Sequence, residues 1–133
     1  MPDEFIDTNI IIYSLSKDEH KQHKALVLLA NKPVMSVQVL SETANIMRRK
    51  LGFDIAAIRA VINRINQECG LLQPITLTTL NTALNIAERY SFSHYDSLII
   101  AAALQANCTI LYSEDMQHGQ IIEGRMKVIN PFL

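Results

Sequence analysis

Glu4-Phe5-Ile6-Asp7-Thr8-Asn9-Ile10-Ile11-Ile12-Tyr13 places a single carboxylate just past a short apolar run. Two small polar residues and a second apolar run follow it. Residues 5–7 read as a short strand flanked by Pro2, and residues 10–15 as the opening turn of a helix. A carboxylate this close to a hydrophobic run is half committed to the core. Burying it unpaired costs several kcal/mol unless a partner or a cation compensates it. The rest of the chain has to supply that compensation.

Working outward, Ser16-Lys17-Asp18-Glu19 has capping-box spacing, with Ser16 as N-cap and Glu19 at the third position, before a helix to about Ala30. First-turn electrostatics account for Asp18 and Glu19. Residues 33–36 read as a second strand, and residues 37–51 as a helix with Leu40, Ala44, Met47 and Leu51 on one stripe. Gly52 stops it. Asp54 caps a third helix on which Ile55, Ile58, Ile62, Ile65 and Cys69 recur at helical period. Residues 71–75 are a third strand, and Pro74 marks it as an edge strand or a strand end. Residues 78–90 form a helix expected to turn Leu80, Leu84 and Ala87 inward. Ser93-His94-Tyr95-Asp96 then opens a helix over residues 98–104 that is apolar nearly all round, hence central and buried. Residues 109–112 and 127–129 are the fourth and fifth strands, separated by a short irregular or helical piece. Short apolar strands alternating with helices call for an α/β fold: a mostly parallel sheet of four to five strands with both faces covered.

At 133 residues, with no repeat, low-complexity tract or linker, residues 1–133 read as one domain. Twelve basic and thirteen acidic residues leave a formal net charge of −1. That argues against a protein that coats nucleic acid through global charge, while leaving room for a local basic groove. Cys69 and Cys108 match no metal or redox spacing and read as buried or half-buried thiols. No apolar run approaches the roughly 20 residues of a membrane span. Met-Pro-Asp-Glu lacks the basic-then-apolar order of a signal peptide, so cytoplasm is the expected location.

Asp7 and Asp115 follow strands, and in open α/β sheets the carboxyl ends of the strands line the binding crevice. Asp96 has two readings. The S-x-x-D spacing makes it a capping partner of Ser93. It also shares a helix face with Ile99, Ile100 and Ala103, which turns it toward the buried side. Glu42 lies at the edge of its helix's apolar stripe, either as a solvated border residue or as a fourth member of the site. Four acids from four segments could surround a hard cation, for Mg²⁺ and Mn²⁺ favour oxygen ligands and retain several waters. Crowded carboxylates otherwise repel and titrate together. No histidine arrangement competes: His20 and His23 sit on an exposed helix start, and His94 and His118 are isolated.

Together Phe5-Ile6-Asp7-Thr8-Asn9, Ser41-Glu42 within a helix, Tyr95-Asp96-Ser97-Leu98-Ile99 opening an Ala-rich helix, and Leu111-Tyr112-Ser113-Glu114-Asp115-Met116 resemble the PIN-domain family, more narrowly the VapC-type toxins. The resemblance runs from Phe5 to the closing Val128-Ile129-Asn130-Pro131-Phe132. It implies a three-layer α/β/α sandwich and a Mg²⁺- or Mn²⁺-dependent endoribonuclease holding one or two ions, acting as the toxin of a toxin–antitoxin pair. It further implies a homodimer held inactive by a cognate antitoxin. By resemblance Asp7, Glu42, Asp96 and Asp115 are the catalytic, metal-coordinating acids, with Glu114 the rival of Asp115. Thr8, Asn9 and Ser113 are supporting residues. The basic run Arg48-Arg49-Lys50, or Lys17, Lys21 and Lys24, is placed to steer RNA phosphates, and helix-end electrostatics explain the same residues without RNA. An aspartate-nucleophile phosphatase would need a second acid where Asn9 stands. A phosphoacceptor module would need an acid pair after its first strand and a lysine after its last, and Lys127 stands at the start of that strand rather than after it. A catalytically silent PIN-like module that binds RNA or protein is the alternative.

Overall fold

The computed structural model describes residues 3–133, so Pro2 lies outside the described residues. Six strands make one sheet in the order β3-β2-β1-β4-β6-β5: β1 (Glu4–Ile6), β2 (Val34–Ser36), β3 (Leu71–Gln73), β4 (Ile110–Tyr112), β5 (Ile121–Ile122) and β6 (Met126–Ile129). All neighbours are parallel except β5, which runs antiparallel to β6. The α/β class and mostly parallel sheet match the sequence reading; the strand count exceeds the expected four to five by one. The extra strand, β5, is two residues long and too short for any periodicity. A tight turn makes it, in which Glu123 and Gly124 both take positive φ and the Arg125 N–H donates to the Ile122 carbonyl at 3.0 Å.

Phe5 on β1 pairs with Val34 of β2 on one side and Leu111 of β4 on the other. The strand order therefore reverses at β1, the point where α/β sheets open a crevice beyond their carboxyl ends. Six helices flank the sheet: α1 (Thr8–Ser14), α2 (Glu19–Ala30), α3 (Val37–Arg49), α4 (Ile55–Glu68), α5 (Leu77–Tyr90) and α6 (His94–Gln105). Helix α6 is buried without interruption from Ser97 to Leu104, as its all-round apolar sequence requires. Its alanines at 101–103 let strands and helices approach closely. Phe5, Ile6, Ile10, Ile11, Met35, Ile99 and Leu111 complete the core around it. Strand β3 lies at the sheet edge, where Pro74 can follow it without removing a ladder hydrogen bond.

Local expectations shift in three places. Helix α1 begins at Thr8, because Asp7 itself is the N-cap. Helix α2 is capped by Asp18, which accepts from the Lys21 N–H at 3.3 Å, while Ser16 makes only a local bond from the Asp18 N–H. The two polar residues compete for the same role, and the carboxylate takes it. On α5 the inward face is Thr79, Ala83 and Ile86, leaving Leu84 52 % exposed. Thr79 is satisfied in its buried place by donating to Gln105 on α6 at 2.7 Å.

Candidate functional site

The acids gather at the carboxyl end of β1. Asp7 is the first residue after that strand and is buried, with 4 % of its surface exposed. One carboxylate oxygen accepts from the Thr8 N–H at 2.7 Å and the other from the Ser113 hydroxyl, beyond β4, at 2.8 Å. Each oxygen keeps lone-pair capacity for a further partner. Glu42 projects from the middle of α3. Its two oxygens accept from the Thr8 hydroxyl at 2.7 Å and from the Gln38 amide at 2.7 Å. Asp96, in the first turn of α6, is half-buried, and Ser93 caps that turn through the Asp96 N–H. Asp115 sits in the loop after β4, where Asn9 donates to it at 3.1 Å. The chain places all four carboxylates, with Thr8, Asn9 and Lys50, on the wall of one open cavity of ≈ 320 Å³. Ile12, Ile46 and Leu51 make its apolar side.

Glu114 is turned away from this cavity. Tyr13 donates its hydroxyl to it at 2.5 Å, and the Lys21 ammonium bonds both Glu114 and the Tyr13 oxygen at 3.0 Å. Lys21 also lies 4.3 Å from the Tyr13 ring centre, and Phe132 packs edge-on to that ring. Burial pushes the Glu114 carboxyl up, yet the Tyr13 and Lys21 hydrogen bonds outweigh it and hold the group below its ordinary range. Of the two neighbouring acids it is thus Asp115 that lines the cavity. Lys21 is committed to this cluster rather than open to phosphates.

The site acids lean the other way. Burial, opposed by the bonds from Ser113 and Thr8 and reinforced by the charges of Glu42 and Asp96, pushes the Asp7 carboxyl up to about 6. Burial also raises Asp96; the Ser93 hydroxyl opposes this, and the charges of Asp115 and Glu42 add to it. Among the described residues none of the four acids is in an ion pair. This is a hard-oxygen donor set with its negative charge uncompensated, which a divalent cation fits. As the side chains stand, no three acidic, histidine or cysteine groups among the described residues close on one ion directly. An ion that keeps most of its waters suits a cavity lined this way better than one requiring an all-protein cage.

The remaining expectations divide. Of the basic run ending α3, Lys50 lines the acid cavity, Arg49 and Lys50 line a small neighbouring hollow, and Arg48 is exposed and lines neither. His118 takes a local role, accepting from the Asn130 N–H at 3.0 Å. Both cysteines are free. No helix among the described residues is long and apolar enough to cross a membrane. Sequence reasoning missed Gln38, although its place one turn before Glu42 was a usable signal. It also missed the Tyr13–Lys21–Glu114 cluster, whose partners lie far apart in the chain.

An α/β sheet that reverses at β1 and gathers four carboxylates over its carboxyl edge defines a class of acidic-crevice folds. The PIN domain profile matches residues 5–121, and the chain belongs to that family. Solved structures share the fold. Mycobacterium tuberculosis VapC20, described as a sarcin-ricin loop cleaving toxin, is 22% identical, with a TM-score of 0.67 over 84% of this chain and 89% of that one. A toxin–antitoxin complex from Klebsiella pneumoniae is 16% identical, with a TM-score of 0.72 over 96% and 97%. FitAcB from Neisseria gonorrhoeae is 18% identical, with a TM-score of 0.67 over 97% and 98%. No curated protein sequence matches.

Proposed function

We propose that this protein is a divalent-metal-dependent endoribonuclease and the toxin of a toxin–antitoxin pair. The observation that carries the reading is the convergence of Asp7, Glu42, Asp96 and Asp115 on one cavity of a PIN fold, with no cationic side chain among the described residues paired to any of them. The toxin role and the antitoxin partner draw on the company the fold keeps, a cleaving toxin and a toxin–antitoxin complex. A single domain, a homodimer and a cytoplasmic location belong to the same proposal.

In this reading Asp7, Glu42, Asp96 and Asp115 hold Mg²⁺ or Mn²⁺, directly or through water. Bound there, such an ion polarises a phosphoryl oxygen and lowers the pKa of water, which is what phosphodiester hydrolysis requires. The chain's own contribution is placement. Ser113 and the Thr8 N–H fix Asp7. The Thr8 hydroxyl ties Glu42 to the strand end that carries Asp7, and Asn9 holds Asp115. Lys50 sets a positive charge on the cavity wall, with Arg48 and Arg49 beside it in sequence, where backbone phosphates of RNA would approach.

The test is cleavage of RNA by the wild type and by Asp7→Asn, with Mn²⁺ and with a chelator. Cleavage that needs Mn²⁺ and is lost in the variant is the expected result. Activity indifferent to either change would refute the site. A wild type that binds RNA or an antitoxin without cutting would favour the silent-module alternative.

A further inference from the structure

Gln38 lies on α3, one helical turn before Glu42. Its side-chain amide carries two N–H groups, and both are used. One donates to Glu42 at 2.7 Å and the other to the backbone carbonyl of Tyr95 at 3.1 Å, the residue before Asp96. The amide thus forms a bridge between the helix that bears Glu42 and the helix turn that bears Asp96. The orientation is fixed by chemistry: turned over, its oxygen would face a carboxylate and a carbonyl, both acceptors only. In the orientation that works, the Gln38 oxygen is left buried with no partner, the only such side-chain atom among the described residues. An apolar side chain of the same size would remove the orphaned oxygen but leave the Glu42 carboxylate and the Tyr95 carbonyl without these donors. What an apolar side chain cannot do is hold Glu42 against α6.

We propose that Gln38 is a positioning residue for the acid site, setting the placement of Glu42 relative to Asp96 and so the affinity of the cavity for a divalent cation. The proposal rests on the metal-dependent nuclease reading. Among the described residues Glu42 has two protein donors, Thr8 on one oxygen and Gln38 on the other. Without Gln38 the carboxylate can rotate about its last torsion while pivoting on Thr8. Partners of this kind, one step removed from the ion, typically change metal affinity by about 10–100-fold.

Gln38→Met removes both donors and the orphaned oxygen while keeping length and helix propensity; Gln38→Leu is a second apolar replacement should methionine pack badly. The measurements are Mn²⁺ titration by calorimetry, thermal unfolding in chelator, and the Mn²⁺ dependence of RNA cleavage. Mn²⁺ affinity should fall by about 10-fold, with a matching shift in the Mn²⁺ needed for cleavage. The chelated variant should remain folded and unfold close to the wild-type temperature, so that a fall in Mn²⁺ affinity is not a loss of structure. In a Glu42→Gln background the Gln38 replacement should change Mn²⁺ affinity no further, because its effect passes through Glu42. Wild-type Mn²⁺ affinity in both variants, or a loss that persists in the Glu42→Gln background, would overturn the positioning role while leaving the nuclease reading intact. A wild type that neither binds Mn²⁺ nor cuts RNA would overturn both.

Discussion

Replacing Asp7 with asparagine should stabilise the metal-free protein while destroying its activity. The Asp7 carboxyl ordinarily titrates near 3.8 and is pushed up to about 6 in the fold, by burial first and then by its acidic neighbours. Below pH 3.8 the group is protonated in both the folded and the unfolded chain, and the site carries no penalty. As pH rises toward about 6 the unfolded chain gives up its proton first, so the folded chain binds more protons and stability falls. Above about 6 the penalty is complete. A shift of this size corresponds to roughly 3 kcal/mol. Asparagine carries no charge at any pH and escapes it. Part of the gain is offset, because an amide N–H₂ would meet the Ser113 hydroxyl that now donates to Asp7. That hydroxyl must turn and accept. A net stabilisation of about 1–2 kcal/mol is expected near pH 7.5.

Urea unfolding of both proteins in chelator reads this directly, through the midpoint at unchanged slope. The difference should be largest near neutral pH and shrink toward zero as pH falls below the ordinary carboxylate range. Added Mn²⁺ should then stabilise the wild type and leave the variant where it was, since only a ligand that binds the folded state shifts the midpoint. A chelated Asp7→Asn protein no more stable than the wild type at neutral pH would refute the reasoning. It would mean that Asp7 is adequately compensated by Thr8 and Ser113 alone, and that no stored repulsion awaits a cation.

Two further outcomes separate neighbouring hypotheses. Asp115→Asn should reduce Mn²⁺-dependent cleavage by at least about 10-fold, while Glu114→Gln should lower the unfolding temperature and leave Mn²⁺ affinity essentially unchanged, since Glu114 faces Tyr13 and Lys21; the reverse pattern, read by calorimetry and cleavage rate, would exchange their roles. Hydrolysis by water in line with the leaving group should leave 5′-phosphate and 3′-hydroxyl ends, and end-labelling that finds a 2′,3′-cyclic phosphate instead would show the RNA 2′-hydroxyl to be the nucleophile.

The sequence carried most of the fold because its signals are local and repeated. Five of the six strands are short apolar runs set between helical patterns, and α6 declares its burial through an unbroken apolar stretch. What escaped was decided by competition between side chains or by contacts distant in the chain. Ser16 and Asp18 both fit a cap, and only the built helix chooses Asp18. Leu84 obeys the helical period, yet Thr79, Ala83 and Ile86 take the buried face of α5 and Leu84 faces outward. The site divides in the same way. Asp7 could be singled out because a carboxylate beside a hydrophobic run is costly, whereas Asp96 and Glu42 looked equally like a cap partner and a solvated border. Their gathering depends on β1 lying between β2 and β4, which puts α3, α6 and the loop after β4 at one edge.

That geometry also explains why Asp7 is buried when the other three acids are not. It is at once the first residue after β1, the N-cap of α1 and the acceptor for Ser113. Each of these ties fixes its position, and together they hold it where water can no longer stabilise its charge. Glu42, Asp96 and Asp115 stand on separate elements with greater exposure; Glu42 is held by two side-chain hydrogen bonds and Asp115 by one from Asn9. A cation entering the cavity would therefore meet one fixed carboxylate and three adjustable ones. The fixed group would supply most of the electrostatic drive, since its charge is the least hydrated. On this account, loss of Asp7 should weaken Mn²⁺ binding more than loss of any one of the other three acids.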